Sequence, residues 1–151
     1  MADGLHIRPA REDDLNRLQE LYRHLNAHDP RRPLDEAIAV FRRFLLYPAS
    51  AILVGTIGSE LVTGCTLVVI PSLWRGAKPF ALIENMLTRA DWRKRVFGSA
   101  ILKAATEQAW EEGCYKVMLL TGSRKPDTLA FYAAAGFEQS KTGFQIKRYP
   151  T

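Results

Sequence analysis

The apolar and polar positions of this chain change period several times, and each change marks an element. Leu5 to Pro9 forms a short first strand that ends where proline removes a ladder donor. Glu12, Asp13 and Asp14 place negative charge at a helix start. Leu15, Leu18, Leu21, Tyr22 and Leu25 then recur at three-to-four spacing and predict a first helix, which breaks around Asp29 and Pro30. Leu34, Ile38, Phe41 and Leu45 predict a second, introduced by Pro33 and Asp35 and closed by Tyr47 and Pro48. Ala51 to Ile57 and Leu61 to Ile70 are β-rich runs separated by Gly58 and Ser59, a hairpin signal.

Residues 71–79, PSLWRGAKP, read as a loop bounded by prolines. Phe80 to Thr88 is an apolar run interrupted only by Glu84 and Asn85, and it reads as a buried strand. A charged turn bearing a glycine, RADWRKRVFGS, leads into an amphipathic helix from about Phe97 to Glu112. Its apolar positions fall at 97, 101, 104, 105 and 109, and Gly113 ends it. Tyr115 to Thr121 is a further buried strand, GSRKPD a loop, and Thr128 to Ala135 a short helix stopped by Gly136. A last strand pair is expected over Phe137 to Gln139 and Gly143 to Arg148. The order β-α-α-β-β-β-α-β-α-β holds one parallel crossover, from strand 80–88 through its helix to strand 115–121. The earlier strands form an antiparallel meander. The expectation is one α+β domain over residues 1–151, with a mixed, mostly antiparallel sheet flanked by helices.

Composition narrows the class. A chain of 151 residues can bury one substantial core, and its 47% hydrophobic content suits a soluble globular protein. No apolar run approaches the roughly 20 residues that cross a bilayer. The start, MADGLHIRPARED, has no basic-then-apolar leader, so the cytoplasm is the expected compartment. Cys65 and Cys114 are too few and too far apart for a disulfide framework or a zinc site, and no metal is expected. The net charge of +5 raises the question of nucleic acid, but the basic residues are scattered and no helix is dense enough in them to read a groove.

The strand, basic turn and helix of residues 80–113 bring chemistry into view. A helix start following a strand presents free N–H groups and a positive dipole end to an anion. Arg93, Lys94 and Arg95 add charge suited to a polyphosphate, although a solvated basic tip has the same sequence. This stretch resembles motif A of the GCN5-related N-acetyltransferases, whose turn reads Q/R-x-x-G-x-G/A. Arg93 fills the first position and Gly98 the last, Ser99 follows, and Val96 stands where the first glycine belongs. The LIEN strand, GCYKV and FYAAAGF extend the resemblance, which is strongest from about Phe80 onward; the C-terminal part is similar to glucosamine-6-phosphate N-acetyltransferases.

The resemblance implies an acetyl-CoA-dependent N-acetyltransferase that works as a homodimer on the amine of a small molecule. Backbone N–H groups over Lys94, Arg95, Val96, Phe97, Gly98 and Ser99 would bind the pyrophosphate, and Met86, Leu87 and Thr88 would lie beside the pantetheine arm. At Val96, a glycine-like backbone would cost a β-branched residue about 1–3 kcal/mol; an ordinary φ would cost nothing. Turnover could be lost in the first case, leaving a non-catalytic acyl-CoA-binding module. Glu84 either pairs with an arginine or caps a sheet edge, or else takes the proton of the substrate ammonium. Tyr132 is either a core aromatic or the acid that protonates the departing thiolate. Lys125 stands where relatives often carry a cofactor-binding asparagine, and with Arg124 it could meet the CoA phosphates. His24 and His28, four apart, read as surface residues of the first helix, since LNA between them lacks the zinc-protease glutamate. Trp74 and Arg75 could line an acceptor pocket or a surface contact.

Overall fold

Five strands form one sheet in the order β1-β2-β3-β4-β5, so every strand lies beside its neighbour in sequence. The computed structural model describes residues 4–93 and 96–149. The strands are β1 (Leu5–Pro9), β2 (Ala51–Ile57), β3 (Glu60–Ile70), β4 (Phe80–Thr88) and β5 (Val117–Leu119). The first four pair antiparallel, and β5 joins β4 in parallel after a helical crossover. The helices are α1 (Leu15–Tyr22), α2 (Leu34–Phe44), α3 (Phe97–Glu111) and α4 (Pro126–Ala134). This is the α+β architecture with a mixed sheet that the sequence predicts. The chain divides into two compact units at Leu119, the first carrying the sheet with α1 to α3 and the second carrying α4.

The first unit has a core on each face of its sheet. Phe97, Ile101, Leu102, Ala105 and Ala109 form the buried stripe of α3, which packs across β2, β3 and β4. On the other face Leu15, Leu18 and Leu21 of α1 and Phe41 of α2 cluster with Val54, Leu61 and Leu87. Each such leucine contributes about 1.5–3 kcal/mol by leaving water. The end of β1 is fastened to α1 by Asp14, whose carboxylate is 1% exposed. It accepts two hydrogen bonds from Arg8, at 2.6 and 2.9 Å, one from Arg17 at 2.8 Å and one from the Arg11 N–H at 2.8 Å.

Strand β4 departs from simple alternation at its middle. Gly64 of β3 faces Leu87 and Thr66 faces Glu84, so Asn85 and Met86 together stand opposite Cys65. This two-against-one pairing is a β-bulge. Asn85 supplies the left-handed conformation at φ 50°, which asparagine tolerates better than most residues. The bulge also resets the parity of the strand. Glu84 shares a face with Thr66, which lies within hydrogen-bonding reach of Tyr22 on α1. Leu87 returns to that same α1 face after three residues rather than two or four. Simple alternation therefore holds up to Glu84 and resumes at Leu87, with Asn85 and Met86 together between them.

Two other expectations are corrected. Strand β5 runs only over Val117–Leu119, shorter than the apolar run from 115 to 121. The final strand pair is not formed, since residues 137–149 carry no strand. Phe144 and Ile146 keep a two-residue period but are 92% and 99% exposed. Alternation makes a strand only when a neighbour takes up its N–H and C=O groups, and no ladder includes these residues.

Candidate active site

The residues singled out along β4 sit on an edge that is open in the first unit. Strand β5 pairs with β4 only through Ala81, Leu82 and Ile83. From Glu84 to Thr88 that edge has no strand partner among the described residues, so its main-chain groups are available to an extended ligand. The bulge lies in this segment, and the extra residue of a bulge drops out of the ladder. Met86 is half-buried, Leu87 buried and Thr88 half-buried. Thr88 is held by Thr63, whose hydroxyl lies 3.0 Å from that of Thr88 and donates to the Leu87 carbonyl at 2.8 Å.

Glu84 is exposed, and among the described residues it has neither an ion pair nor a hydrogen bond. Among the described residues no arginine neutralises it. A free carboxylate beside an open strand edge can accept a proton or hold an ammonium group.

The turn after β4 differs from the simple anion cradle in one respect. Arg93 donates to the carbonyls of Thr88 at 3.2 Å and His24 at 3.0 Å, so its guanidinium braces the turn against the end of α1. His24 completes the brace, its Nδ1 accepting the Ala90 N–H at 3.3 Å. Sequence reading treated His24 as surface and gave no sign of this contact. The expected phosphate contacts at Lys94 and Arg95 lie outside the described residues.

Val96 adopts φ −73° and ψ 9°, an ordinary backbone for a β-branched residue, with its side chain half exposed. The strain that would have argued for a lost cofactor site is absent. The Val96 carbonyl accepts the Ala100 N–H at 2.9 Å, opening α3. The N–H groups of Phe97, Gly98 and Ser99 therefore precede the intrahelical ladder, and no side chain caps them. Phe97 is 4% exposed and anchors the turn, its ring 5.6 Å from that of Trp92. A helix start with three uncapped donors suits an anion.

The second unit carries the remaining candidates. Tyr132 lies on α4 with its ring edge-on to Phe131 and Phe137, at centroid distances of 5.1 and 6.4 Å. Burial pushes its phenol above the usual tyrosine range, and its hydroxyl has no partner among the described residues. The group is thus a protonated, unengaged donor at neutral pH. Lys125 is exposed at the start of α4, where its carbonyl accepts the Thr128 N–H at 3.1 Å. Its side chain has no ion pair among the described residues. Among the described residues no group of three or more His, Cys, Asp or Glu could hold a metal ion, and no helix is long and apolar enough to cross a membrane. Cys65 is buried, which pushes its thiol up to about 12, far from a reactive thiolate.

Known proteins are similar to this chain in sequence and fold. A solved structure described as a putative acetyltransferase from Agrobacterium tumefaciens is 44% identical, with a TM-score of 0.90 over 95% of this chain and 99% of that one. A glucosamine 6-phosphate N-acetyltransferase of Trypanosoma brucei brucei is 26% identical over 133 residues, 88% of each chain. A probable glucosamine 6-phosphate N-acetyltransferase 2 of Oryza sativa subsp. japonica is 35% identical over 89 residues, 59% of this chain and 50% of that protein. The model of the acetyltransferase (GNAT) family matches residues 15–137, which include β4, its bulge, the turn, α3 and Tyr132. The chain belongs to the acetyltransferase (GNAT) family and is an N-acetyltransferase with acetyl-CoA as its acyl donor.

Proposed function

We propose that this enzyme moves the acetyl group of acetyl-CoA to a primary amine of a small molecule by direct attack, with Glu84 as base and Tyr132 as acid. The observation that carries the reading is the Glu84 carboxylate, unpaired among the described residues, beside the open, bulged edge of β4. An alkyl ammonium must lose a proton before its nitrogen can attack, and Glu84 takes that proton. The nitrogen adds to the thioester carbonyl carbon, a main-chain N–H along Met86 to Thr88 steadies the carbonyl oxygen, and the carbon–sulfur bond breaks. Tyr132 gives its proton to the departing thiolate, and the second proton shed by the acylated nitrogen restores the phenol. The first-turn N–H groups of Phe97, Gly98 and Ser99, with the charges of Lys94 and Arg95, hold the pyrophosphate, and Lys125 meets a CoA phosphate.

Residues 1–151 serve as one acetyltransferase domain in this reading, supported by a family match that continues past Leu119. A cytoplasmic homodimer follows from the sequence reading, and sedimentation at working concentration tests the dimer. Two relatives are named for glucosamine 6-phosphate, which makes an amino sugar phosphate the first acceptor to supply.

The test is CoA release with a panel of amines, comparing native protein with Glu84→Gln and Tyr132→Phe. Each variant should lose about a hundredfold in kcat/KM, the usual scale of a general acid or base. The Glu84 loss should be steepest below neutral pH, where the ammonium most needs a base. Because burial raises the Tyr132 phenol, the acid stays protonated through neutral pH, and the alkaline fall in rate should begin late. Full turnover by both variants across the pH range would sink the assignment.

A further inference from the structure

A short helical turn, Ala90–Trp92, carries the chain from the end of β4 toward the start of α3. Arg89, just before it, donates its N–H to the Val62 carbonyl at 2.8 Å, and the Trp92 N–H closes the turn on the Arg89 carbonyl at 2.9 Å. On the far side the Trp92 ring lies 5.6 Å from that of Phe97, the first residue of α3. Where this turn sits therefore sets where α3 begins, and with it the uncapped N–H groups of Phe97, Gly98 and Ser99.

The first N–H of such a turn finds no partner within it. The side chain of Arg89, at the N-cap, does not take it up. The acceptor comes from 66 residues away in the chain, where His24 Nδ1 takes the Ala90 N–H at 3.3 Å. His24 is itself fixed, its N–H donating to the Leu21 carbonyl at 3.0 Å and its carbonyl accepting from Arg93 at 3.0 Å. One residue beyond the end of α1 thus meets the turn at its first residue and just past its last.

An imidazole accepts through Nδ1 only while that nitrogen carries no proton. Histidine is also the side chain type that changes charge most readily near neutral pH. His24 is exposed and lines the groove of about 380 Å3 between α1 and the end of β4, so protons reach it from solvent. The charged groups around that groove are Arg17 and Glu20 of α1, Glu60 at the start of β3, and Arg89 and Asp91 of the turn. Arg17 holds Asp14, Glu20 meets Arg31, and Arg89 joins Glu60 to Asp91. Asp91 is close enough that charge on His24 helps to lower its carboxyl, after the larger effect of Arg89. A protonated ring has lost its bond to Ala90 and has an anion beside it to turn to.

We infer that His24 is a positioning residue for acetyl-CoA: its neutral ring caps the turn that aims the start of α3 at the pyrophosphate, and cofactor affinity falls when the ring is protonated or removed. The inference rests on the placement of the pyrophosphate given above. His24 acts through the turn, not on the ligand.

The experiment is calorimetry with acetyl-CoA at pH 8 and pH 5.5 on the native enzyme, His24→Asn, His24→Leu and Ser99→Asp. Asparagine sets Oδ1 as many bonds from the backbone as histidine sets Nδ1, and it accepts at either pH. At pH 8 His24→Asn should bind within about twofold of native and His24→Leu about fivefold more weakly, the scale of one hydrogen bond. At pH 5.5 the native enzyme should fall toward His24→Leu while His24→Asn keeps its lead. The ligand is the same throughout, so its own titration cancels between enzymes. Thermal melting confirms folding, and if His24→Leu does not fold, the pH dependence of native enzyme against His24→Asn decides alone. Ser99→Asp sets a carboxylate at the start of α3 without unseating the helix, since acidic residues suit a first turn. Native affinity retained by His24→Leu, or parallel weakening of native enzyme and His24→Asn, overturns the role of His24 alone where Ser99→Asp has lost binding. Acetyl-CoA bound equally well by Ser99→Asp overturns the placement of the pyrophosphate, and the inference about His24 falls with it.

Discussion

Asp14 shows how much a single side chain can hold. Its carboxylate is 1% exposed, and it joins β1 to α1 through Arg8, Arg17 and the Arg11 N–H. Removing one member of a buried ionic group leaves the others desolvated and unpaired, at a cost of about 3–5 kcal/mol. Arg17 reaches solvent here, so Asp14→Asn should lose about 2–3 kcal/mol, read as a lower urea midpoint with an unchanged m-value. A loss under about 0.5 kcal/mol would show that solvent already satisfies the two arginines. In the sequence Asp14 is one of three acidic residues at a helix start, and nothing separates it from Asp13, which is exposed. Burial depends on what packs above, which local pattern does not carry. The same limit hid the brace between His24 and Arg93, since it joins residues 69 apart. Glu84 and Tyr132 were legible for a different reason. A carboxylate inside an apolar strand and a phenol in FYAAAGF are conspicuous as residue types before any packing is known.

At the scale of elements, the hydrophobic pattern placed β1, β2, β4 and α3 within a residue of their observed bounds, because each apolar or periodic run ends abruptly in proline, glycine or charge. The bulge in β4 escaped, since alternation assumes one residue facing one, and Asn85 with Met86 breaks that count. The final strands over 137–139 and 143–148 failed in the opposite way, having the period without a partner. The turn into α3 yields a sharper test. A tight approach to phosphate seemed to call for glycine at position 96, and a valine forced to positive φ would weaken cofactor binding about tenfold. Its observed φ of −73° holds no strain for glycine to relieve. Val96→Gly should therefore bind acetyl-CoA within about threefold of the native affinity by calorimetry. A gain of tenfold or more would mean that the turn is strained in solution.

For the whole molecule, the topology was legible because consecutive strands neighbour one another, so the order of elements is nearly the order in space. What sequence order did not convey is how unevenly the charge is arranged around it. The 21 lysines and arginines exceed the 16 acidic residues, and among the described residues six of the acidic ones pair with specific arginines. Arg8 holds the Asp14 carboxyl below its usual range, Arg42 does the same for Glu12, and Arg89 for Asp91. The sign of the linkage follows from the depressed values. Each carboxylate adds stability above its unfolded pKa of about 4, and the contribution is lost as pH falls through the lower folded value. Protonation also leaves the basic residues unopposed, so mutual repulsion grows as the ion pairs vanish. Thermal midpoints measured from pH 7 down to pH 3 should fall steeply below about pH 4.5. Salt should soften the decline by screening the repulsion, while also weakening the exposed pair of Glu12 with Arg42. The buried Asp14 cluster is screened least. Asp14→Asn should start from a lower midpoint at neutral pH and show a shallower acid slope, the two curves converging only as pH falls through the lowered folded value of Asp14. Parallel curves would assign the acid limb to general repulsion and leave Asp14 with a packing role alone.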